Sequence, residues 1–393
     1  MSHRLINHSP DLKKLRDEGY DLEVRAGHLL VNDIPYVNSR REVSRGVLVT
    51  TLTLAGDVTT QPDNHVATFI GDHPCRADGV EIDQIKNPSG GRALAEGIVV
   101  NHTFSAKPHI PYADYYEKVA TYVAIISSQA RAIDPSATAQ TFPVIEAGKE
   151  EDAVFNYLDT ASSRAEIDLI ARKMALPKIA ILGLGGTGSY VLDLVAKTLV
   201  KEIHLFDGDD FLQHNAFRSP GAPSIEELKA KPRKAAYLKS IYSRMHRGIV
   251  VHEEYVGPQN VDLLGDMNFV FLSLDRGSAK KLIVEKLEAF GIPFVDVGMG
   301  VYASENALGG ILRVTTHTPQ QHEHFRSRVP FSDGDGTNEY ALNIQIADLN
   351  ALNAALAVIK WKKRFGFYLD LDGEHHCTYT IDGNALENDD LRP

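Results

Sequence analysis

The chain contains 393 residues, 43% of them hydrophobic, and exceeds the length that one hydrophobic core usually supports, so two domains are expected. Acidic residues outnumber basic ones by 52 to 41, and the formal net charge of -11 would repel a polyphosphate backbone, which argues against nucleic acid as a partner. Two cysteines do not make a disulfide framework, and neither a signal-peptide core nor an apolar run of about eighteen residues occurs, so we expect a cytoplasmic protein that neither crosses nor binds a membrane.

The N-terminal part predicts a small α+β domain. A short polar helix is expected from Leu12 to Glu18, followed by strands of a meander. A longer helix is expected in residues 112–133, because apolar side chains recur there at spacings of three and four. The strand segments are "GHLLVNDIPYV", "GVLVTTLTLAGD" and "HVATFIGDHPC", and the helical positions are Tyr116, Val119, Tyr122, Val123 and Ile126.

A connector is expected between Asp134 and Ala153, where Pro, Ser, Thr, Ala and Glu occur without periodicity. The domain boundary is placed there, which gives an accessory domain over residues 1–140 and a second domain over residues 155–393.

Beyond the connector, strands and helices alternate. The predicted strands are "KIAILG", "EIHLFD", "GIVVHEEYV", "NFVFLSLD" and "PFVDVGMG", and the predicted helices include "SYVLDLVAKTL" and "SAKKLIVEKLEAF". This order is typical of a doubly wound, mostly parallel, Rossmann-like α/β sheet.

The stretch "ILGLGGTGSY" is a glycine-rich turn between the first of these strands and its helix, with Gly183, Gly185, Gly186 and Gly188. Such a turn brings backbone N–H groups and the positive end of a helix to a phosphate. Asp207 ends the next strand, where a carboxylate can accept hydrogen bonds from ribose hydroxyls. These features predict a nucleotide site and leave open whether it holds a dinucleotide or ATP.

Four polar residues after this acid favour ATP. Asp209, Asn215 and Arg218 follow directly, and Lys234 comes soon after. Adenylyl transfer spreads charge over phosphorus oxygens as pyrophosphate leaves, and fixed cations stabilise that charge. Asp275 follows the fourth strand, where a carboxylate can hold Mg²⁺ beside the phosphates.

This ordered set, over residues 160–365, resembles the ubiquitin-activating-enzyme-like adenylyltransferases of the ThiF/MoeB/HesA type, which include the molybdopterin-synthase and thiamine-biosynthesis adenylyltransferases. The resemblance implies adenylation of the C-terminal glycine carboxylate of a ubiquitin-like protein. It implies that Asp207 holds the ribose, that Asn215, Arg218 and Lys234 hold the phosphates, and that Asp275 holds Mg²⁺.

The resemblance also implies a homodimer in which an arginine ahead of the glycine turn reaches the neighbour's γ-phosphate. Arg164 is the preferred residue and Arg172 the alternative, although a helix capped by Ser162 or Ser163 would serve equally well as packing. The nearest bacterial forms with an extra N-terminal domain look like parts of ubiquitin-like conjugation operons. The resemblance would also set Gly298 and Gly300 under the acyl-adenylate, whereas a tight turn is their structural alternative.

The sequence departs from the family where many members carry a nucleophilic cysteine, because none lies between Cys75 and Cys377. The preferred interpretation is that the reaction stops at the acyl-adenylate. The alternatives are transfer to a Ser or Thr in residues 317–340, where the segment "HTPQQHEHF" offers bases, or transfer to one of the two distant cysteines.

The two CxxC pairs that hold zinc in many relatives are also missing. The corresponding places carry "QHEH" and "EHHC", so a zinc site is a minor alternative to a polar loop and a strand edge. Its ligands would come from His322, His324, His375, His376 and Cys377.

For the N-terminal domain, the preferred hypothesis is docking of the ubiquitin-like protein or of a conjugating-enzyme-like partner. A degenerate conjugating-enzyme-like fold, with Cys75 supplied by "HPC", is the less favoured one, because that family spaces its cysteine differently. For the whole chain, an NAD-dependent oxidoreductase and a non-catalytic nucleotide-binding scaffold are the alternative functions. The first of these leaves Arg218, Lys234 and Asp275 unused.

Overall fold

The computed structural model describes residues 2–87, 89–148, 153–275, 277–331 and 344–388. The chain divides into two compact units, residues 1–148 and 149–393. No helix in these described ranges combines the length and the apolar character that crossing a membrane requires.

The first unit is built on a five-stranded antiparallel sheet in the order β1-β2-β3-β6-β9, with the long helix α3 packed against it. Two short ribbons, β4-β5 and β7-β8, complete its strands. The elements are α1 (Ser2–His8), α2 (Pro10–Asp17), β1 (Leu22–Arg25), β2 (His28–Val37), β3 (Val43–Thr51), β4 (Leu54–Ala55), β5 (Val58–Thr59), β6 (Val66–Ile70), β7 (Arg92–Ala95), β8 (Ile98–Val100), β9 (His102–Ser105) and α3 (Tyr115–Ile133), with a 3-10 turn at Asp83–Ile85.

Helix α3 confirms the predicted long helix. Asp114 caps its start by accepting a hydrogen bond from the Glu117 N–H at 2.8 Å. Val119, Tyr122 and Val123 belong to the buried core of the unit, whereas Tyr116 is only partly buried against it. The 3.6-residue period therefore identified the packed face of this helix.

Cys75 belongs to the core of this unit. Its side chain is 1% exposed and its thiol donates to the carbonyl of His73 at 3.3 Å. Burial, reinforced by nearby Glu81 and Asp72, raises the pKa of the Cys75 thiol. Because the thiolate is the nucleophile, this environment does not suit an acyl-accepting cysteine.

The second unit contains an eight-stranded sheet in the order β12-β11-β10-β13-β14-β15-β16-β17. The five strands from β12 to β14 are parallel, and β15 to β17 are antiparallel. The elements are α4 (Thr160–Arg164), α5 (Asp168–Ala171), β10 (Lys178–Leu182), α6 (Gly186–Val195), β11 (Glu202–Phe206), α7 (Gln213–Ala216), α8 (Ile225–Ala230), α9 (Lys234–Tyr242), β12 (Ile249–His252), β13 (Phe269–Leu272), α10 (Gly277–Phe290), β14 (Phe294–Ser304), β15 (Ala307–His317), α11 (Phe325–Arg328), α12 (Ala347–Arg364), β16 (His376–Thr380) and β17 (Ala385–Glu387), with 3-10 turns at Arg172–Met174 and Val261–Asp266.

Both faces of the parallel sheet are covered, as the alternating pattern predicted. Ile179 and Ile181 of β10 pack into a core with α6, α9 and α12. Ala180 and Leu182, the alternate residues, pack into a second core with α10 and α11. This arrangement confirms the doubly wound, mostly parallel fold and brings the carboxyl ends of β11, β10 and β13 side by side.

Candidate functional site

The glycine turn joins β10 to α6, and two of its glycines are required by packing. Gly183 has a φ of +83°, and a Cβ there would lie closer than 3.0 Å to the carbonyl oxygen of Ser273. A Cβ on Gly188 would overlap the carbonyl oxygen of Gly183. The turn therefore folds tightly against the end of β13 only because both side chains are absent.

The two central glycines of the turn have different surroundings. A Cβ on Gly185 would have no atom of the described residues within 4 Å, apart from its neighbours in the chain. No side chain caps α6 at this position. A Cβ on Gly186 would instead overlap the side chain of Asn350. Gly185 thus leaves the amino end of a ten-residue helix open to an anion, whereas Gly186 is packed.

Asp207 follows β11 and links the next strand to this turn. Its Oδ2 accepts the Leu184 N–H at 2.6 Å, and its Oδ1 accepts the Asp209 N–H at 2.8 Å. The carboxyl is 4% exposed, and burial raises its pKa, although Lys234 counteracts this rise. Each oxygen retains a lone pair, so a hydroxyl donor can still bind.

Lys234 begins α9 and is buried against two acids. Its Nζ lies 2.6 Å from Asp209 Oδ2 and 3.9 Å from Asp207 Oδ1. The other oxygen of Asp209 accepts a hydrogen bond from the Tyr255 hydroxyl. The ammonium group of Lys234 is thus held near the glycine turn, with the half-exposed carboxylate of Asp209 as its partner.

Arg218 comes just after α7 and is half-buried, with an Nε that has no hydrogen-bond partner among the described residues. Burial lowers the pKa of Arg218, whereas nearby Asp275 and Asp209 raise it. Asp275 is exposed just beyond β13. Arg218 and Asp275 therefore lie close enough for their charges to interact.

Asn215 is buried in α7, where its Oδ1 accepts the Leu212 N–H at 2.8 Å. Its Nδ2 is buried without a partner in the described part of the chain. Asn215 therefore shapes the turn that leads to Arg218 and retains one unused donor.

Asn350 of α12 belongs to the site but was not predicted from the sequence. Its Oδ1 accepts the Thr187 hydroxyl at 2.9 Å, and its Nδ2 donates to the carbonyl of Arg218 at 3.4 Å. One buried amide thus joins the glycine turn to the segment that carries the arginine. The available signal was a pair of amides, Asn350 and Asn353, on a helix face that is otherwise mostly apolar.

Asp275 suits the Mg²⁺ that the resemblance implies. Mg²⁺ is usually held by one or two carboxylates together with substrate phosphates and waters, and Asp275 is an exposed carboxylate beside the glycine turn. When bound, the ion would neutralise charge on the phosphates.

The remaining sequence-predicted residues fall outside this cluster. Arg164 ends α4 and Arg172 begins a 3-10 turn, and both are exposed ahead of β10. Gly298 and Gly300 lie within β14, which continues to Ser304, so the tight turn considered as their alternative is wrong.

The zinc grouping is not formed. In the described ranges no group of three or more His, Cys, Asp or Glu side chains is arranged to hold a metal ion. The rings of His324 and His375 are adjacent, at 5.6 Å between centroids, but Cys377 packs into the core on the other side of the sheet. His376 instead contacts the hydroxyl of Thr315, because consecutive strand residues point to opposite faces. The ring of His322 lies beside that of His317, at 5.7 Å between centroids.

The segment considered for a hydroxyl nucleophile is only partly described, since residues 332–340 lie outside the described ranges. In the described portion, His317 is buried and stacks on Phe294 at 4.4 Å. Burial lowers the pKa of His317 to about 4.

The fold, the glycine turn and the adjoining acids and cations define a nucleotide-binding α/β protein. Residues 168–361 match the ThiF family, and residues 10–160 match a domain of unknown function (DUF6791). The C-terminal domain therefore belongs to the ThiF family, which confirms the resemblance to the ThiF-type adenylyltransferases, and the N-terminal domain is an addition to it.

Several solved structures align with this chain at low identity. A crystal structure of PaaA aligns over 68% of this chain and 84% of its own, with 17% identity and a TM-score of 0.46. Escherichia coli MccB with MccA-N7isoASN aligns over 58% of this chain and 69% of its own, with 16% identity and a TM-score of 0.46. The ATP complex of E. coli MccB aligns over 57% and 66%, with 19% identity and a TM-score of 0.41. A comparison with curated proteins gave no match.

Proposed function

We propose that this protein activates a carboxylate by ATP-dependent adenylation. A carboxylate oxygen attacks the α-phosphorus of ATP, the bond from that phosphorus to the bridging oxygen of the β-phosphate breaks, and pyrophosphate leaves with the electron pair. The observation that carries the proposal is the convergence of Arg218 and Lys234 with the open amino end of α6 at one sheet edge. Fixed cations and helix N–H groups stabilise the charge that develops on the phosphates.

Each residue has a proposed role. Asp207 binds the ribose hydroxyls, and the turn containing Gly185 binds phosphate through its N–H groups. Asn215, Arg218 and Lys234 bind the polyphosphate, and Asp275 holds Mg²⁺. Asp209 positions Lys234 through the 2.6 Å ion pair.

The proposed substrate is the C-terminal glycine of a ubiquitin-like protein, as the family resemblance implies. Burial of Cys75 and Cys377 supports a reaction that stops at the acyl-adenylate, since neither thiol is presented to an acyl group. The proposal includes a cytoplasmic homodimer in which Arg164 contributes to the neighbour's site. The N-terminal domain docks the ubiquitin-like protein or a conjugating-enzyme-like partner.

The identity of the nucleotide is tested by calorimetry, in which the protein is titrated with ATP and Mg²⁺ and, separately, with NAD⁺. We expect ATP to bind and NAD⁺ not to bind. Lys234→Met should lose ATP affinity, whereas Lys239→Met, an exposed lysine on the same helix, should keep it. NAD⁺ binding without ATP binding would refute the proposal.

The reaction is tested by pyrophosphate exchange into ATP in the presence of a ubiquitin-like protein that ends in glycine. Exchange should depend on that protein and disappear when its terminal glycine is removed. Exchange that survives this truncation would refute the assignment of the terminal glycine, and ATP binding without any exchange would favour a scaffold.

A further inference from the structure

A buried cluster of three charges lies next to the candidate site, on the α10 side of the sheet. Asp296 of β14 is 0% exposed and forms ion pairs with Lys280 Nζ at 2.7 Å and with Arg313 Nη2 at 2.6 Å. Lys280 belongs to the first turn of α10, and Arg313 to β15. None of these residues has been used in the function proposed above.

The strand register sets this cluster beside the proposed Mg²⁺ ligand. Asp296 pairs with Leu272, the last residue of β13, and Asp275 follows three residues later. Gly298 pairs with Arg313 across β14 and β15. The cluster therefore lies where a group approaching from the β14 side would meet the nucleotide.

The charges within the cluster do not balance. Lys280 and Arg313 carry two positive charges, and Asp296 is the one carboxylate that pairs with them in the described part of the chain. Taking an uncompensated cation out of water is costly unless an anion joins it. A surplus buried cation is therefore poised to bind an anion.

The unused donors of Arg313 suit a carboxylate. Arg313 gives one N–H to Asp296 and one to the Thr315 hydroxyl at 3.0 Å, so a guanidinium with five donors still has some to offer. A Cβ on Gly298 would lie 2.6 Å from Arg313 Nη2, so the absence of a side chain at Gly298 lets the guanidinium pack directly against β14. From the other face, Asn353 holds the carbonyl of Gly298 at 3.1 Å.

We propose that Lys280 and Arg313 bind the terminal carboxylate of the acyl substrate and hold it toward the α-phosphate. This assignment rests on the adenylation function proposed above. Arg313 holds one carboxylate oxygen and leaves the other free to attack. Asp296 orients both cations.

The test uses glycylglycine as the probe and glycylglycinamide as its uncharged control, with stabilisation of the full chain measured by thermal unfolding. Glycylglycine should stabilise the wild-type protein, and the amide should not. Lys280→Met should weaken glycylglycine binding roughly ten- to hundredfold. The matched control, Lys281→Met, removes an exposed charge from the next position of α10 and should bind like wild type.

Lys280→Met removes one of the two cations and leaves Asp296 paired with Arg313. If Lys280 is the surplus charge, this variant should fold with no loss of thermal stability. Arg313→Gln is the second variant, because it leaves the Lys280–Asp296 pair intact. If both variants unfold, or if both bind glycylglycine like wild type, the cluster is structural and the proposal is overturned. Equal stabilisation by the amide would also overturn it.

ATP with Mg²⁺ is titrated in the same assay. Carboxylate binding without ATP binding would refute adenylation alone. ATP binding that is unchanged in both variants, with glycylglycine affinity equal to wild type, would refute the carboxylate site alone.

Discussion

Replacing Gly185 or Gly186 by alanine should separate nucleotide binding from folding. The two residues are adjacent, yet a Cβ on Gly185 would enter open space and a Cβ on Gly186 would overlap Asn350. Gly185→Ala should therefore keep the fold and lose nucleotide affinity, because the methyl group occupies the space in front of the α6 N–H groups. Gly186→Ala should primarily destabilise the protein.

The magnitudes follow from the contacts. Gly185 is the N-cap of α6, where alanine costs about 0.5–1 kcal/mol. Gly186→Ala displaces Asn350 from Thr187 and Arg218, losing two hydrogen bonds of about 1 kcal/mol each. Overpacking destabilises the protein by about 1–3 kcal/mol more, whereas replacing glycine by alanine within a helix stabilises it by about 1 kcal/mol. The net loss is about 2–4 kcal/mol.

The assay is urea unfolding followed by the fluorescence of Trp361, the single tryptophan of the chain, which is buried in α12 of the same unit. In an Asn350→Ala background, Gly186→Ala should not lower the free energy of unfolding, because the side chain that it would overlap has been removed. The coupling, which is the difference between the effects of Gly186→Ala in the two backgrounds, is the decisive measurement. If Gly186→Ala is as stable as wild type, or if the coupling is absent, the packing argument is wrong.

Three further results are expected. Lys234→Met should reduce the pyrophosphate-exchange rate by roughly 100-fold, because a transition-state cation is lost, while Lys239→Met should not; equal rates would contradict the assigned role. The stability of the second unit should fall by up to about 3 kcal/mol as the pH drops from 6.5 toward 4, because His317 has a pKa of about 4 when folded and is protonated more readily when unfolded; His317→Leu should flatten this slope. A thiol reagent should modify Cys75 and Cys377 slowly in the native protein and both rapidly in urea; a fast native reaction would reopen the thioester pathway.

The parallel sheet and the glycine turn were predictable because each rests on local pattern. Strand β10 is apolar at every buried position, which is the signature of a strand buried on both faces, and Gly183 follows it directly. The side chains of Asp207, Arg218 and Lys234 follow within one crossover, so their proximity follows from topology.

Contacts between distant segments could not be predicted in this way. Asn350 reaches Thr187 across 163 positions of sequence, and Arg313 reaches Asp296 only because β15 runs antiparallel to β14. Part of the zinc hypothesis conflicts with a local rule, because the pleat of β16 sends the consecutive residues His376 and Cys377 to opposite faces. Assigning that segment to a strand would have excluded His376 and Cys377 as ligands of the same ion.

The ion pair of Lys234 with Asp209 explains how the site can be folded and still be ready for a triphosphate. Asp209 is 49% exposed in its side chain, so exchanging it for a phosphate oxygen costs about 1 kcal/mol or less, as for pairs near the surface. Asp207 is different, because it is buried and 3.9 Å from the same ammonium group. Lys234 must stay in place to compensate Asp207, so the incoming phosphate replaces Asp209 and not Asp207. A lysine shared between one fixed acid and one replaceable acid is thereby held in position before the nucleotide arrives.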